Sequence, residues 1–329
     1  MLHFTNYPID EKIATQIQDT LNSGTNVTLK YDYTTIASSI RWTGNSSLTI
    51  ISKHTINIAR NVTIANIGMG TLKLMPGIES EDFSATVNFD ENGIIDMTRG
   101  GKVEVYYNPS AGHKDHKYHN TKSFHHNVKG HSVAVKALVN NIQDLEDMSY
   151  FPSGSYALSR NIDASSMLSF EPISNTEQPF TGDFDGNNYE IANLHIDGED
   201  NVSIFGIIFG TSFDKVQIKN LQLRNITVKG ENYVGVIASE AKHAIFTNIH
   251  FTNIGIKSEA ISGGIAGSAE HCNILGVSGT KTINIDSTSS SGKIFGGLKH
   301  SISCNVDCQL EDTSCVGLSI YNSEVHDYI

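Results

Sequence analysis

Charge is scarce in this 329-residue chain: Asp, Glu, Lys and Arg make up 18% of it, against about 25% in an ordinary globular protein. Its polar surface must therefore come from Asn, Ser, Thr and Gly. Proline is scarcer still, at 6 residues, so no Pro-rich linker separates domains. No apolar run approaches the roughly 18 residues of a membrane helix, which excludes a helical integral membrane protein. Helical periodicity is nearly missing as well. Hydrophobic residues, at 39%, suffice for a core and exclude wholesale disorder. The 23 basic and 35 acidic residues leave a net charge of −12. Such a chain repels phosphate, so no nucleic-acid partner is expected.

Cysteine is confined to the last fifth of the chain, as Cys272, Cys304, Cys308 and Cys315. CxxC spacing is absent. These are expected to be reduced, partly buried thiols rather than a disulfide framework or a zinc knuckle. The start, Met1-Leu2-His3-Phe4-Thr5-Asn6-Tyr7-Pro8, shows neither a basic n-region nor an apolar h-region. The expectation is a chain that does not use the general export route, or one that lacks its true start.

The convincing helical stretch is Asp10 to Leu21, where Ile13, Ile17 and Leu21 recur every four residues before Ser23-Gly24. A second turn of helix is expected in Val139–Leu145. Elsewhere short alternating runs, such as Leu48-Thr49-Ile50 and Val103-Glu104-Val105, are bounded by Asn, Gly, Ser or Asp. These read as many short, half-buried strands.

The second half repeats. Ile204-Phe205-Gly206-Ile207 returns around Gly235, Gly264 and Gly296, at spacings of 29, 29 and 32 residues. A second series runs through Asn193, Asn220, Asn248 and Asn273. A period in this range marks a solenoid, propeller or array. Propeller blades need roughly 40 residues, and no amphipathic helix lies between the strands. Stacked coils of two or three strands fit, which is a single-stranded parallel β-helix, all-β, with a short N-terminal helix. Residues 1–111 are expected to form the first coils and the helix, 112–131 a His-rich loop, and 132–329 the repeat coils.

Several of these segments resemble a known family. Val139–Leu145, Gly154–Ala164, Phe170-Glu171-Pro172-Ile173 and Phe180–Gly186 are similar to the passenger region of filamentous-haemagglutinin-like exoproteins. The phenylalanine–glycine repeats from Phe205 onward resemble the GLUG repeats of bacterial adhesins and surface proteins. The likeness covers most of residues 20 to 270. It implies a right-handed β-helix and a secreted or cell-surface setting, and it supplies no catalytic residues. Exoproteins of this kind begin with an export signal and a secretion domain. Neither is visible here, so an internal or truncated piece, or a degenerate copy, is expected.

Six histidines crowd into nineteen residues: His113, His116, His119, His125, His126 and His131. His-rich tracts suggest metal binding. Lys114, Lys117, Lys122 and Lys129 lie alongside and oppose a cation, and no HExxH or Cys/His pattern supports a closed site. A solvated loop without bound metal is expected. Asp183 and Asp185 stand at i, i+2, as calcium ligands or an acid–base pair would. Asp185-Gly186-Asn187 is itself a turn signal, and the turn is the favoured reading. Arg41, Arg60, Arg99, Arg160 and Arg224 are scattered, and no Asp-Asp pair marks a polysaccharide lyase or hydrolase. Trp42 is expected to pack in the core or at an edge. No catalytic, cofactor or metal residue is assigned. The expected role is a non-enzymatic passenger segment that meets a host-surface protein or a glycan. The alternatives are a carbohydrate-active β-helix enzyme and an intracellular β-helical binding protein.

Overall fold

A computed structural model describes residues 2–4, 8–109, 118, 122–279, 282–288, 291–292 and 294–298. They form two compact units, Met1–Val139 and Asn140–Ile329. Parallel strands build a β-solenoid of about nine turns in all, with two short helices among the described residues.

The first unit runs β1 (Leu2–Phe4), α1 (Glu11–Asn22), β2 (Val27–Tyr31), β3 (Thr34–Ile36), β4 (Ile40–Trp42), β5 (Leu48–Ser52), β6 (Ile56–Ile58), β7 (Thr63–Asn66), β8 (Thr71–Met75), β9 (Val87–Phe89), β10 (Ile94–Tyr107) and β11 (Val128–Val139). Each coil supplies one strand to each of three faces. On the first, Leu29, Ile50, Leu74, Val105 and Val135 stand in register. On the second, Ile36, Ile58 and Phe89 align. On the third, Ile40, Ile64, Ile95 and Val128 align, and all four are buried. Side chains alternate along a strand, so every second residue joins a column of its kin. Burying each Ile or Leu contributes roughly 1.5–3 kcal/mol.

The expected helix is α1. The Asp10 side chain caps it by accepting from Ile13 N at 2.9 Å. Ala14, Ile17 and Leu21 form its buried stripe. Its far end is pinned to the first coil, because Ser46 Oγ donates to the Leu21 carbonyl at 2.8 Å and Arg41 N to Gln18 Oε1 at 2.8 Å. Trp42 is core, with Nε1 donating to the Ser46 carbonyl.

The second unit runs α2 (Ile142–Asp147), β12 (Ser155–Leu158), β13 (Ile162–Asp163), β14 (Asp183–Asp185), β15 (Glu190–Ala192), β16 (His195–Asp197), β17 (Ile207–Phe209), β18 (Val216–Gly230), β19 (Val234–Gly235), β20 (Ala238–Lys242), β21 (Ala244–Ser258), β22 (Ser262–Gly263), β23 (Ala266–Glu270), β24 (Asn273–Leu275), β25 (Ile283–Ser287), β26 (Ser291–Gly292) and β27 (Phe295–Leu298). Tyr156, Phe184, Ile218, Phe246 and Ile274 make one core column. Ile162, Ile191, Leu223 and Phe251 make the next. Phe205 packs against Phe184 of the first column and against Phe180, its ring 5.1 Å from Phe184 and 5.0 Å from Phe180.

Two details differ from the sequence reading. The glycine series is not one column, and Gly264 falls one residue past the column of Gly235. Gly235 pairs with Gly263 and Gly292, whereas Gly206 falls level with Ser239, Gly267 and Gly296. The near-equal spacings arise because both columns share the coil period. The asparagine series also divides. Asn220 and Asn248 stack with Asn188, and Asn193 stacks instead with Asn225 and Asn253. Asn273 lies in β24, level with Ile245. Every ladder asparagine has φ between 53° and 64°, the left-handed region that Asn tolerates best among side-chain-bearing residues. These residues turn the corner without breaking the strand ladder, which is why β18 and β21 run for 15 residues where short strands were expected.

Candidate functional site

Side chains leave the ladder at the coil corners. One corner of the second unit lies between the β17–β20–β23 row and the row of β18, β21 and β24. Loop 210–215, Lys242-His243 and Glu270-His271 occupy it in successive coils. His243 and His271 have φ of 49° and 54°. This shared backbone turn stacks their rings, with centroids 4.8 Å apart at 11°.

Charged groups surround the stack. Lys242 Nζ bonds Glu270 Oε1 at 3.0 Å and sits 5.7 Å from the Phe209 ring centre. Glu270 Oε1 is 3.7 Å from His271 Nε2. Lys215 Nζ reaches the His271 carbonyl at 3.4 Å and Asn273 Oδ1 at 3.3 Å. Partial desolvation, then His271 and the Lys242 ammonium, hold the His243 imidazole below its ordinary pKa, while Glu270 opposes them. Phe213 stands fully exposed at the loop tip. Its loop is braced, since Thr211 N donates to the Asp214 carbonyl at 2.8 Å and Asp214 N to Thr211 Oγ1 at 3.0 Å. Phe209, four residues earlier, is half-exposed. Aromatic faces beside paired charges and imidazoles suit a ligand with apolar patches and hydrogen-bonding groups. Cys272 lies beneath with its Sγ 3.4 Å from the Ala241 and Glu270 carbonyls. Burial pushes its thiol up to about 11, so it behaves as a core residue and not as a nucleophile.

A second corner lies in the first unit. The Tyr33 ring stacks on His54 at 4.0 Å and 8°. His54 Nδ1 meets Asp82 Oδ2 at 2.8 Å, and the Ser84 hydroxyl donates to Asp82 Oδ1 at 2.6 Å. Ser84, then His54, hold the Asp82 carboxyl below its usual range against the pull of partial burial. Serine and histidine thus both face the carboxylate, which is not the order of a nucleophilic triad. Tyr33 is 55% exposed and Phe83 42%, so this corner presents two aromatic rings to solvent.

Of the residues singled out from sequence, only some lie among the described ones. His113, His116 and His119 lie outside the described residues. His125 and His126 are exposed neighbours with ring centroids 3.8 Å apart. Ser123 Oγ lies 2.6 Å from His125 Nδ1. His131 belongs to β11, at the register shift against β10. Among the described residues no three His, Cys, Asp or Glu side chains converge on a metal position. Asp183 and Asp185 form a strand, and the turn follows them at Asn187 and Asn188. Asp183 Oδ1 accepts from Gln217 N at 2.8 Å, and Asp185 Oδ1 from Asn187 N and Asn220 Nδ2, both at 3.0 Å. Both carboxylates therefore hold the coil corner. Cys304, Cys308 and Cys315 lie outside the described residues.

The corner clusters were not noticed in the sequence, although a signal existed. His243 and His271 are one coil apart, as the Lys242–Glu270 register shows. Tyr33 and His54 likewise follow the Tyr31–Ser52 register.

No family model matches the chain. No solved structure matches it either. Halomucin from Haloquadratum walsbyi (strain DSM 16790 / HBSQ001) is 34% identical over 110 residues, which is 30% of this chain and 1% of Halomucin. The chain thus spans about a hundredth of that relative's length. No helix among the described residues is long and apolar enough to cross a membrane.

Proposed function

We propose that this chain is a non-enzymatic β-solenoid segment of a secreted or cell-surface protein, and that it presents an interaction surface. The observation that carries this reading is Phe213. A phenylalanine wholly in water, on a braced loop beside Phe209, two ammonium groups and stacked imidazoles, is a prepared contact and not a packing element. The resemblance to filamentous-haemagglutinin-like exoproteins and GLUG repeats supports an adhesin-like role. The stretch similar to Halomucin leans towards a surface setting. The partner is a host-surface protein or glycan.

Protease treatment of intact cells tests the setting: the chain should be digested while cytoplasmic markers survive. A chain protected until lysis overturns it. Retention of the purified chain on host cells tests the surface. Phe213→Ala should lower retention at least about fivefold with an unchanged melting temperature, and equal retention by this variant refutes the assignment of the corner.

A further inference from the structure

Five asparagines stand in the pattern Asn-x-Ser/Thr with x other than proline: Asn26, Asn45, Asn61, Asn201 and Asn225. In exported chains this pattern accepts N-linked saccharides. The motif alone does not choose among the five, but their hydrogen bonds do. Asn26, Asn45 and Asn61 are exposed at coil corners of the first unit. Each uses its amide oxygen in the fold and leaves its amide nitrogen outside it. Asn26 Oδ1 accepts from Ser47 N at 2.8 Å, Asn45 Oδ1 from Met69 N at 3.2 Å, and Asn61 Oδ1 from Asn92 Nδ2 at 3.0 Å. Their Nδ2 atoms have no acceptor among the described residues.

The other two are engaged differently. Asn225 Nδ2 donates to Asn193 Oδ1 at 2.9 Å, and Asn225 Oδ1 accepts from Asn253 at 2.8 Å. A sugar on that nitrogen would crowd Asn193, the neighbour to which it donates. Asn201 is half-buried, and the hydroxyl of its motif, on Ser203, is fully buried. We propose that Asn26, Asn45 and Asn61 carry N-linked saccharides and that Asn201 and Asn225 do not. This rests on the exported setting proposed above. The donor is a saccharide joined to a diphosphate through its anomeric carbon. The bond from that carbon to the diphosphate oxygen breaks, and its electron pair leaves with the diphosphate. The Nδ2–carbon bond forms from the nitrogen lone pair, and the amide nitrogen gives up one proton. No oxidant or reductant is needed.

The chain is isolated from its own cells and its peptides are weighed before and after amidase release in heavy-oxygen water, which turns each occupied asparagine into labelled aspartate. Label at Asn26, Asn45 and Asn61, and none at Asn201 or Asn225, is the expected result. Replacing only the motif hydroxyls, as Thr28→Val, Ser47→Ala and Thr63→Val, should remove the saccharides while leaving the asparagine hydrogen bonds intact. Absence of saccharide at all three sites overturns the proposal, as does occupancy of Asn225 in the folded chain. The protease experiment separates the causes. A chain digested on intact cells but bare of sugar refutes this inference alone, and a chain protected until lysis refutes the setting on which it rests.

Discussion

Asn225 combines two functions in one side chain. Its φ of 53° is strained for residues with a β-carbon other than Asn, and its amide links Asn193 to Asn253. Asn225→Ala should cost about 1–2 kcal/mol in urea unfolding, from backbone strain plus lost hydrogen bonds. Asn225→Gly should recover the backbone part and lose only the ladder part. His243 gives a pH-dependent test. Its folded-state pKa is depressed, so below the ordinary histidine value of about 6.5 the unfolded chain binds the proton more readily. Stability should therefore fall as pH drops through that value. His243→Asn, which keeps the left-handed turn, should flatten this fall in melts between pH 8 and pH 6. Further into acid the carboxylates take over. Asp82 and Asp96 sit below their usual range, held chiefly by the hydroxyls of Ser84 and Thr98. Their contribution is complete above the unfolded value of about 3.9 and is lost as pH falls through the lower folded values.

Among the elements, α1 is the most separable. It depends on the Asp10 cap and on three buried side chains. Asp10→Ala should lower stability by about 1 kcal/mol, and circular dichroism should show a small loss of helical signal before the strand signal changes. At the β19 corner the limit is space. A β-carbon at Gly235 would run into the Ala238 carbonyl oxygen and come within 2.9 Å of Ala266 Cα. Gly235→Val should therefore lower the melting temperature, and an unchanged melt would show that the coil can move aside. Phe213 sits at the other extreme. It touches nothing the fold needs, so its loss should be silent in stability and visible only in binding.

At the scale of the whole molecule, each coil of a solenoid contacts chiefly its neighbours, so stability is approximately a sum of coil and interface contributions. Phe205 joins the columns of Phe180 and Phe184. Phe205→Ala should cost about 3–5 kcal/mol. Loss of a single interface in such a stack should also broaden the urea transition, since the coils on either side can then unfold separately. Far-UV circular dichroism of the intact chain should be dominated by strand. A helical share above about one third would contradict the parallel coils.

Period and alternation are local properties, so the sequence alone disclosed the parallel β-helix, the helix from Asp10 and the repeat length, while Trp42, legible as core or edge, is placed in the core by the structure. Register is not local. The series through Gly206, Gly235, Gly264 and Gly296 looked like one column because its members share the coil period, and only strand pairing assigns Gly235 to Gly263. The same holds for the asparagines, whose two ladders become distinct once Asn188 and Asn225 find their partners. The histidine-rich tract drew attention because its residues are close in sequence. His243 and His271, and Tyr33 and His54, are a full coil apart, and they meet only because the chain returns to the same corner after each turn.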